Sequence, residues 1–409
     1  MLANVVGIAL GLVRMPAIAW LLPKDEVGMI GVVASWQVFL AYLTWPSSLN
    51  AAAYHYVAKG QPSAFAYMLR HQLGRSWWSI LGFLASAAYW GWQGQGTLAI
   101  LFIIAGLTYP TTTILAACGE MLAAQENFVG LFWYRLGQYL ANFMGFIFLL
   151  LSFWWGSRVI TFYAVNQICL SVLQIGVTAW LLWRLKQTNA PPVSAQDRRE
   201  IMRYGKHLTG VAGISTVQSN VDRLFVSALF PLTTMADYSI AVAVQTQFKQ
   251  IVSIYISMRY PPLARMPVLT RRRRMLLEGG VIWLGFLGLG VITALLAHWL
   301  VPLIFPPSYA SSLVYIDWLI AITVIGTPGG LVEFFFRTEQ NARQQYIMRA
   351  TSAVLTIILP LILVYHWGVY GILSGRSIAI LLFSIVGLWL FFHHGRSGTH
   401  HRQFDQGHQ

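Results

Sequence analysis

The fold is decided by residues 235–258, MADYSIAVAVQTQFKQIVSIYISM. The stretch is long enough to cross a bilayer core as a helix, which takes about 20 apolar residues. Lys249 lies near its middle, where a charge costs at least about 2.5–3.5 kcal/mol if it faces lipid. Polar residues at helical offsets share the face of Lys249: Thr246, Gln250, Ser253 and Ser257. The stretch therefore predicts a membrane helix that lines a wet cavity.

Similar apolar stretches recur along the whole chain of 409 residues, of which 57% are hydrophobic and 10% charged. This composition predicts an all-α, polytopic membrane protein with about twelve transmembrane helices. The expected helices span 2–22, 28–50, 77–92, 97–118, 129–153, 159–183, 207–230, 235–258, 278–305, 309–336, 346–366 and 368–392. We expect the third of these helices to be short.

The basic residues indicate the orientation in the membrane. Twenty of the 27 Lys and Arg lie in the C-terminal tail or in, or within one turn of, the loops after even-numbered helices, whereas only Lys24 and Arg158 lie in the opposite loops. By the positive-inside rule, the basic loops and both termini are expected to be cytoplasmic. We expect a multi-pass protein of the bacterial cytoplasmic (inner) membrane. The Arg271–Arg274 run and the basic residues of segment 184–206 either contact anionic lipid headgroups or are solvated topology signals.

The two halves of the chain carry similar residues at a nearly constant offset. Five pairs recur in chain order at offsets of about 210 residues: Arg14 with Arg223, Glu120 with Glu333, Asn127 with Asn341, Arg135 with Arg349, and Trp155-Gly156 with Trp367-Gly368. The repeat predicts two parallel six-helix lobes around a central cavity, where substrate would bind. The expected parts are an N-terminal lobe 1–186, a cytoplasmic linker 187–206, a C-terminal lobe 207–392 and a cytoplasmic tail 393–409.

The charged residues inside the expected helices predict a cationic cavity. Arg14, Arg223 and Lys249 are the candidate substrate-binding residues, and they outnumber the acidic Asp222. Such a site suits a phosphate or pyrophosphate, because Arg offers a fork of donors and Lys a point charge. The polar residues predicted to line the cavity are Asn4, Gln37, Thr44, Ser48, Ser215, Gln218, Ser219, Asp222, Thr246, Gln250 and Ser253.

Three charged residues have structural interpretations as well. Asp222 could carry a coupling proton or sodium ion, or it could neutralise Arg223 or Lys249 as a structural pair. Arg135 and Arg376 lie within about two turns of an expected helix end, and we expect them to snorkel to the interface.

Several function classes are disfavoured by the sequence. It contains no nucleophile elbow, Walker loop or HExxH motif, and no paired carboxylates within a membrane span. We therefore expect neither an enzyme nor a cofactor or metal site. The net charge of +14 comes mostly from the basic residues of the loops expected to be cytoplasmic, which set the orientation in the membrane. No soluble domain is expected that could bind nucleic acid.

Two segments resemble a known family. GLVRMPAIAWLLPKDEVG (11–28) and NVDRLFVSALFPLTTMADYSIAVAV (220–244) are similar to the polysaccharide flippases that export O-antigen, capsule or exopolysaccharide units, within the multidrug and oligosaccharidyl-lipid exporter superfamily. The matching positions are Arg14, Pro23, Glu26, Gly28, Asp222, Arg223, Tyr238 and Ala241. Val27 departs from the pattern, because the family usually has an aromatic residue there.

The resemblance implies alternating access and a lipid-linked (polyprenyl-pyrophosphate) oligosaccharide as the transported partner. The other expected partners are membrane lipids and, potentially, other polysaccharide-assembly membrane proteins, with the chain itself a monomer. Two other exporters of the superfamily stay open as alternatives, a peptidoglycan lipid-precursor flippase and a drug exporter, as does a membrane glycan polymerase or ligase.

Overall fold

The computed structural model describes residues 2–44, 56–57, 61–151, 158–187, 193–264, 268–338 and 342–397. Nearly all of these residues are helical and none of them forms a β-strand, which confirms the expected all-α fold. The helices are α1 (Leu2–Leu21), α2 (Lys24–Leu40), α3 (Ser63–Trp92), α4 (Gly96–Ala124), α5 (Phe128–Leu151), α6 (Arg158–Gln187), α7 (Ala195–Leu229), α8 (Leu232–Ala264), α9 (Val268–Ile304), α10 (Ser312–Thr338), and α11 and α12, which share Ala342–Ser397 and meet at Gly368.

The third helix is longer than expected, so the prediction of a short span over 77–92 is wrong. α3 begins at Ser63 and has 30 residues. Its polar first half still has a buried stripe at helical spacing, formed by Phe65, Met68, Leu69, Gln72 and Ser76. An amphipathic helix needs only one such face, so the hydropathy of segment 63–76 understated its helical character.

α4 is distorted at Pro110, which has no N–H to donate within the helix. A π-helical turn covers Pro110–Ile114 and a 3₁₀ turn covers Leu115–Ala117. The hydroxyls of Thr111 and Thr112 both donate to the carbonyl oxygen of Thr108, at 2.8 and 2.9 Å. Hydroxyl groups thus help to satisfy the backbone around the distortion, as is required where no water is present.

α11 and α12 form a tight hairpin. Gly368 at the junction has φ +57°, a conformation that residues with a Cβ rarely adopt. Two glycines further along α12 face the backbone of α11: a Cβ on Gly371 would meet the carbonyl oxygen of Leu363, and a Cβ on Gly375 would meet Pro360. Small residues at this spacing let two membrane helices approach closely.

We expect Gly371→Ala to destabilise the protein by about 1–3 kcal/mol, because the added methyl group must push the two helix backbones apart. The measurement is thermal unfolding of the purified protein in detergent. Gly285→Ala on α9 is the matched control, since a Cβ there meets no atom within 4 Å. Equal melting temperatures for the two variants would contradict the close packing of α11 on α12.

The helices divide into two compact units. The N-terminal unit comprises Met1–Thr216 with Pro231–Ala236, and the C-terminal unit comprises Val217–Phe230 with Asp237–Gln409. In the N-terminal unit α1 packs on α5, α3 on α4, and α5 on α6, whereas in the C-terminal unit α10 packs on α9 and on the α11–α12 hairpin. The division between these units falls within α7.

Much of the expected linker is helical, because α7 begins at Ala195. The Ser194 hydroxyl accepts a hydrogen bond from the Asp197 backbone N–H at 3.1 Å, and it donates to the Asp197 carboxylate at 2.6 Å. This is an N-terminal cap of the type that Ser followed three residues later by an acidic residue predicts. Residues 195–206 of the expected cytoplasmic linker therefore form the first turns of α7.

Six of the described helical segments are long and apolar enough to cross a membrane: Lys24–Thr44, Gly96–Ala124, Arg158–Lys186, Arg274–Ile304, Ser312–Phe336 and Tyr346–His393. The last of these contains the whole α11–α12 hairpin up to His393, and so it is long enough for two spans.

Candidate functional site

A buried charged cluster joins α7, α8 and α12 of the C-terminal unit. Asp222 and Tyr238 are fully buried, and Arg376 is 2% exposed. The Asp222 Oδ2 atom accepts hydrogen bonds from the Tyr238 hydroxyl and from Arg376 Nη1. Arg376 Nη2 also donates to the carbonyl oxygen of Ser219, at 3.2 Å. One carboxylate thus ties three helices together.

The burial of Arg376 contradicts the prediction that this side chain snorkels to the interface. Arg376 lies about 12 Å along α12 from Gly368, at 1.5 Å per residue. Its ion-pair partner is Asp222, so the carboxylate compensates the guanidinium of Arg376 and not that of the neighbouring Arg223. Adjacent helical residues point about 100° apart, which explains why Asp222 and Arg223 face different neighbours.

Positive charge exceeds negative charge in this cluster. Lys249 and Arg223 are near enough for their charges to interact with those of Asp222 and Arg376. Both are partly exposed, and within the described ranges neither has a hydrogen-bond or ion-pair partner. Since Asp222 and Arg376 compensate each other, Lys249 and Arg223 leave two uncompensated cations that can bind an anionic ligand.

The helix that carries Lys249 is held in place one turn earlier. Gln245 is buried, and its amide Nε2 donates to the carbonyl oxygen of Leu319 at 2.9 Å and to Thr323 Oγ1 at 3.0 Å. These bonds fix α8 against α10. The Thr246 hydroxyl, in contrast, donates back to the carbonyl oxygen of Val242 at 2.7 Å.

Arg14 lies in the N-terminal unit, partly buried on α1. Its Nη1 donates to Asn142 Oδ1 on α5 at 3.3 Å, and its guanidinium lies 5.7 Å from the centre of the Phe162 ring on α6. The Asn142 amide is itself anchored by a bond to the carbonyl oxygen of Gln138, at 2.8 Å. Arg14 Nε is buried and has no hydrogen-bond partner in the described part of the chain. No acidic residue is paired with Arg14 within that part.

The other predicted cavity residues have varied surroundings. Thr44 is buried and its hydroxyl pairs with that of Tyr109 at 2.6 Å, whereas Gln37 donates to Thr113 Oγ1 at 3.4 Å. Ser219 and Gln250 are exposed, and Ser215 and Gln218 are partly exposed. Ser48 and the side chains of Asn4 and Ser253 lie outside the described part. Thus Thr44 and Gln37 pack within their own unit.

Three residues of these polar networks were missed as site residues. Arg376 could have been recognised from its depth in an apolar segment, which requires a buried counter-charge. Asn142 and Gln245 gave no comparable signal, because a single amide in a membrane helix does not reveal its partner. Among the described residues no group of three or more His, Cys, Asp or Glu could hold a metal ion.

A sequence comparison identifies the family. The model of the family described as "Polysaccharide biosynthesis protein" matches residues 1–267. The chain belongs to this family. The match spans α1 to α8, and so it includes Arg14, Asp222, Arg223 and Lys249. No curated protein sequence matches the chain.

Solved structures show the fold of this polysaccharide biosynthesis family member. A lipid II flippase, MurJ, in an inward closed conformation is similar with a TM-score of 0.73 and 14% identity, covering 95% of this chain and 86% of that one. An inward-facing multidrug resistance MATE family transporter of the MOP superfamily has a TM-score of 0.71 and 12% identity, covering 95% and 94%. An outward-facing MATE transporter has a TM-score of 0.66 and 12% identity, covering 96% and 92%.

These comparisons confirm the resemblance found in the sequence. The polysaccharide biosynthesis protein has the helical transporter fold of the MOP superfamily, and it is a multi-pass membrane protein. At 11–14% identity the structural neighbours establish the fold, and they do not identify a substrate.

Proposed function

We propose that this protein flips an anionic lipid-linked oligosaccharide, carried on a polyprenyl pyrophosphate, from the cytoplasmic to the outer leaflet of the bacterial inner membrane. The glycan would serve cell-surface polysaccharide biosynthesis, and the movement would occur by alternating access of the two lobes. Membership of the polysaccharide biosynthesis family supports the role, and the transporter fold supports the mechanism.

The observation that carries the proposal is the uncompensated positive charge on deep helices. Lys249 and Arg223 lie beside an ion pair that already balances itself, and Arg14 in the other unit has an amide as its partner. Keeping such cations at membrane depth is costly unless a ligand offsets them. A pyrophosphate carries more than one negative charge and several acceptor oxygens, which suits arginine and lysine donors.

The alternatives fit this charge distribution less well. A drug exporter for cationic substrates would need free acidic groups, whereas Asp222 in the cluster is bound to Arg376. A glycan polymerase or ligase would need a catalytic group, whereas the buried polar residues described above make hydrogen bonds to one another within the protein. A peptidoglycan lipid-precursor flippase would carry a substrate of the same chemistry, so this alternative differs from our proposal only in the glycan that is carried.

The ion-coupling interpretation of Asp222 is weakened by its contacts. Its Oδ2 atom already accepts hydrogen bonds from a buried guanidinium and a phenol, so Asp222 has a structural role within the C-terminal unit. We therefore propose that Asp222 orders the cluster, and that the membrane potential acts on the charge of the substrate.

Lipid extraction from cells that lack the protein tests the proposed function. We expect an oligosaccharide on a polyprenyl pyrophosphate to accumulate, with its glycan facing the cytoplasm, and mass spectrometry would identify the sugar. Re-expression of the wild-type protein should clear the intermediate. An unchanged lipid-linked pool would reject the flippase proposal, and accumulation of a peptidoglycan precursor would favour the alternative.

A further inference from the structure

The C-terminal unit also has an apolar groove. Its volume is about 450 Å³, and α9, α10 and α12 form its walls. Volumes of about 300–1,000 Å³ are typical of ligand sites. Leu276, Leu331, Ile385 and Leu388 are among its lining residues. The groove therefore has the size of a ligand-binding site, and its lining is mostly apolar.

The polar side chains in the groove are satisfied by the protein itself. Trp283 Nε1 donates to the carbonyl oxygen of Val324 at 3.2 Å, and the Ser384 hydroxyl donates to that of Ile325 at 3.0 Å. The groove consequently offers no free side-chain donor to a sugar or a phosphate. Its occupant has to be a hydrocarbon chain.

Two consecutive glycines keep the groove open along α9. A Cβ added at Gly280 would meet no atom within 4 Å, and one at Gly279 would meet only the Leu331 side chain at 3.8 Å. The groove residues Met275 to Trp283 extend about 12 Å along α9 at 1.5 Å per residue. This length is comparable to the hydrocarbon half-thickness of a bilayer, about 15 Å.

Arginines mark the same end of all three groove helices. Arg274 precedes the groove residue Met275 and pairs with Glu278 at 2.7 Å, while remaining half exposed. In the sequence, Arg271–Arg274 lie near the start of α9, Arg337 near the end of α10 and Arg396 near the end of α12. The positive-inside rule assigns this end to the cytoplasmic leaflet, where anionic lipids are attracted by basic residues.

We propose that this groove binds one acyl chain of an anionic phospholipid from the cytoplasmic leaflet, with the lipid phosphate at the arginine-rich end of α9. The chain fills the space over Gly279 and Gly280, and the headgroup meets Arg274. A neutral phospholipid would fill the same groove without the attraction at its end. The site is independent of the proposed transport function, because it uses neither Arg14 nor Lys249.

The test is native mass spectrometry of the purified full-length protein with phosphatidylglycerol or phosphatidylcholine of identical acyl chains. We expect the wild type to retain phosphatidylglycerol preferentially. Gly280→Trp, which fills the groove, should lower this retention by about tenfold or more, the equivalent of losing one good set of contacts. Gly288→Trp is the matched control, because Gly288 is also exposed on α9 with nothing within 4 Å of its Cβ and lies outside the groove.

Two further variants separate the chain site from the headgroup site. Ile385→Trp narrows the groove from α12, at a side chain that is 51% exposed, and should reproduce the loss if Gly280→Trp does not fold. Arg274→Gln should reduce the preference for phosphatidylglycerol over phosphatidylcholine by about fivefold while leaving the groove open. Equal retention of both lipids by the wild type, unchanged retention in Gly280→Trp and Ile385→Trp, or displacement by a polyprenyl phosphate at equal concentration would each overturn the proposal.

Discussion

Asp222→Ala should destabilise the C-terminal unit by about 3–5 kcal/mol, because it leaves the buried guanidinium of Arg376 without its counter-charge. The Tyr238 hydroxyl loses its acceptor in the same substitution. The expected result is a large fall in the melting temperature of the detergent-purified protein, together with a reduced yield from membranes.

A double variant distinguishes a lost ion pair from lost packing. Asp222→Leu with Arg376→Met removes both charges and keeps apolar volume, and such replacements of buried pairs are often neutral or stabilising. It should therefore recover most of the stability that Asp222→Ala loses. Asp317→Ala is the control: Asp317 pairs with His298 at 2.8 Å, but both side chains are substantially exposed. Its effect should stay below about 1 kcal/mol.

Stability of Asp222→Ala equal to that of Asp317→Ala would contradict the buried pair. A double variant no more stable than Asp222→Ala would show that the shape of the two polar side chains matters more than their charges. Either outcome would require another account of how Arg376 is accommodated at membrane depth.

The sequence predicted most of the fold, because the main signal was simple. Apolar length identifies membrane helices without knowledge of tertiary contacts. The errors occurred where a helix continued beyond its apolar part: the first half of α3 carries Arg70 and Arg75, and the start of α7 carries a cap at Ser194. Both could have been predicted from helical periodicity and capping, which do not depend on mean hydropathy.

The site was harder to predict, because its partners lie far apart in the sequence. Asp222 and Arg376 are separated by more than 150 residues. Periodicity along one helix indicates which residues share a face, as for Thr246 and Lys249, but it cannot say which helix that face meets. Arg376 was therefore assigned to the interface, although it is buried and paired with Asp222.

Lys249→Ala and Arg14→Ala should each lower glycan export by about tenfold or more while the protein still inserts into the membrane. A charge-assisted hydrogen bond contributes about 1.5–3 kcal/mol, which corresponds to a factor of about 10 to 150 if it is lost in the transport cycle. Neither substitution removes the ion-pair partner of a described charged residue, whereas Asp222→Ala removes the partner of Arg376. Stability should accordingly be near that of the wild type.

The measurement is export of the surface glycan in cells that carry each variant as their sole copy, with the membrane level of the protein quantified in parallel. Lys186→Ala is the matched control, since it removes an exposed lysine from the last turn of α6. Lys249→Arg keeps the positive charge and should retain more export than Lys249→Ala. If both alanine variants and their double variant export normally, these cations do not bind the transported lipid. A loss of export that follows a loss of protein would instead assign Lys249 and Arg14 to folding, so the ratio of export to membrane level is the decisive quantity.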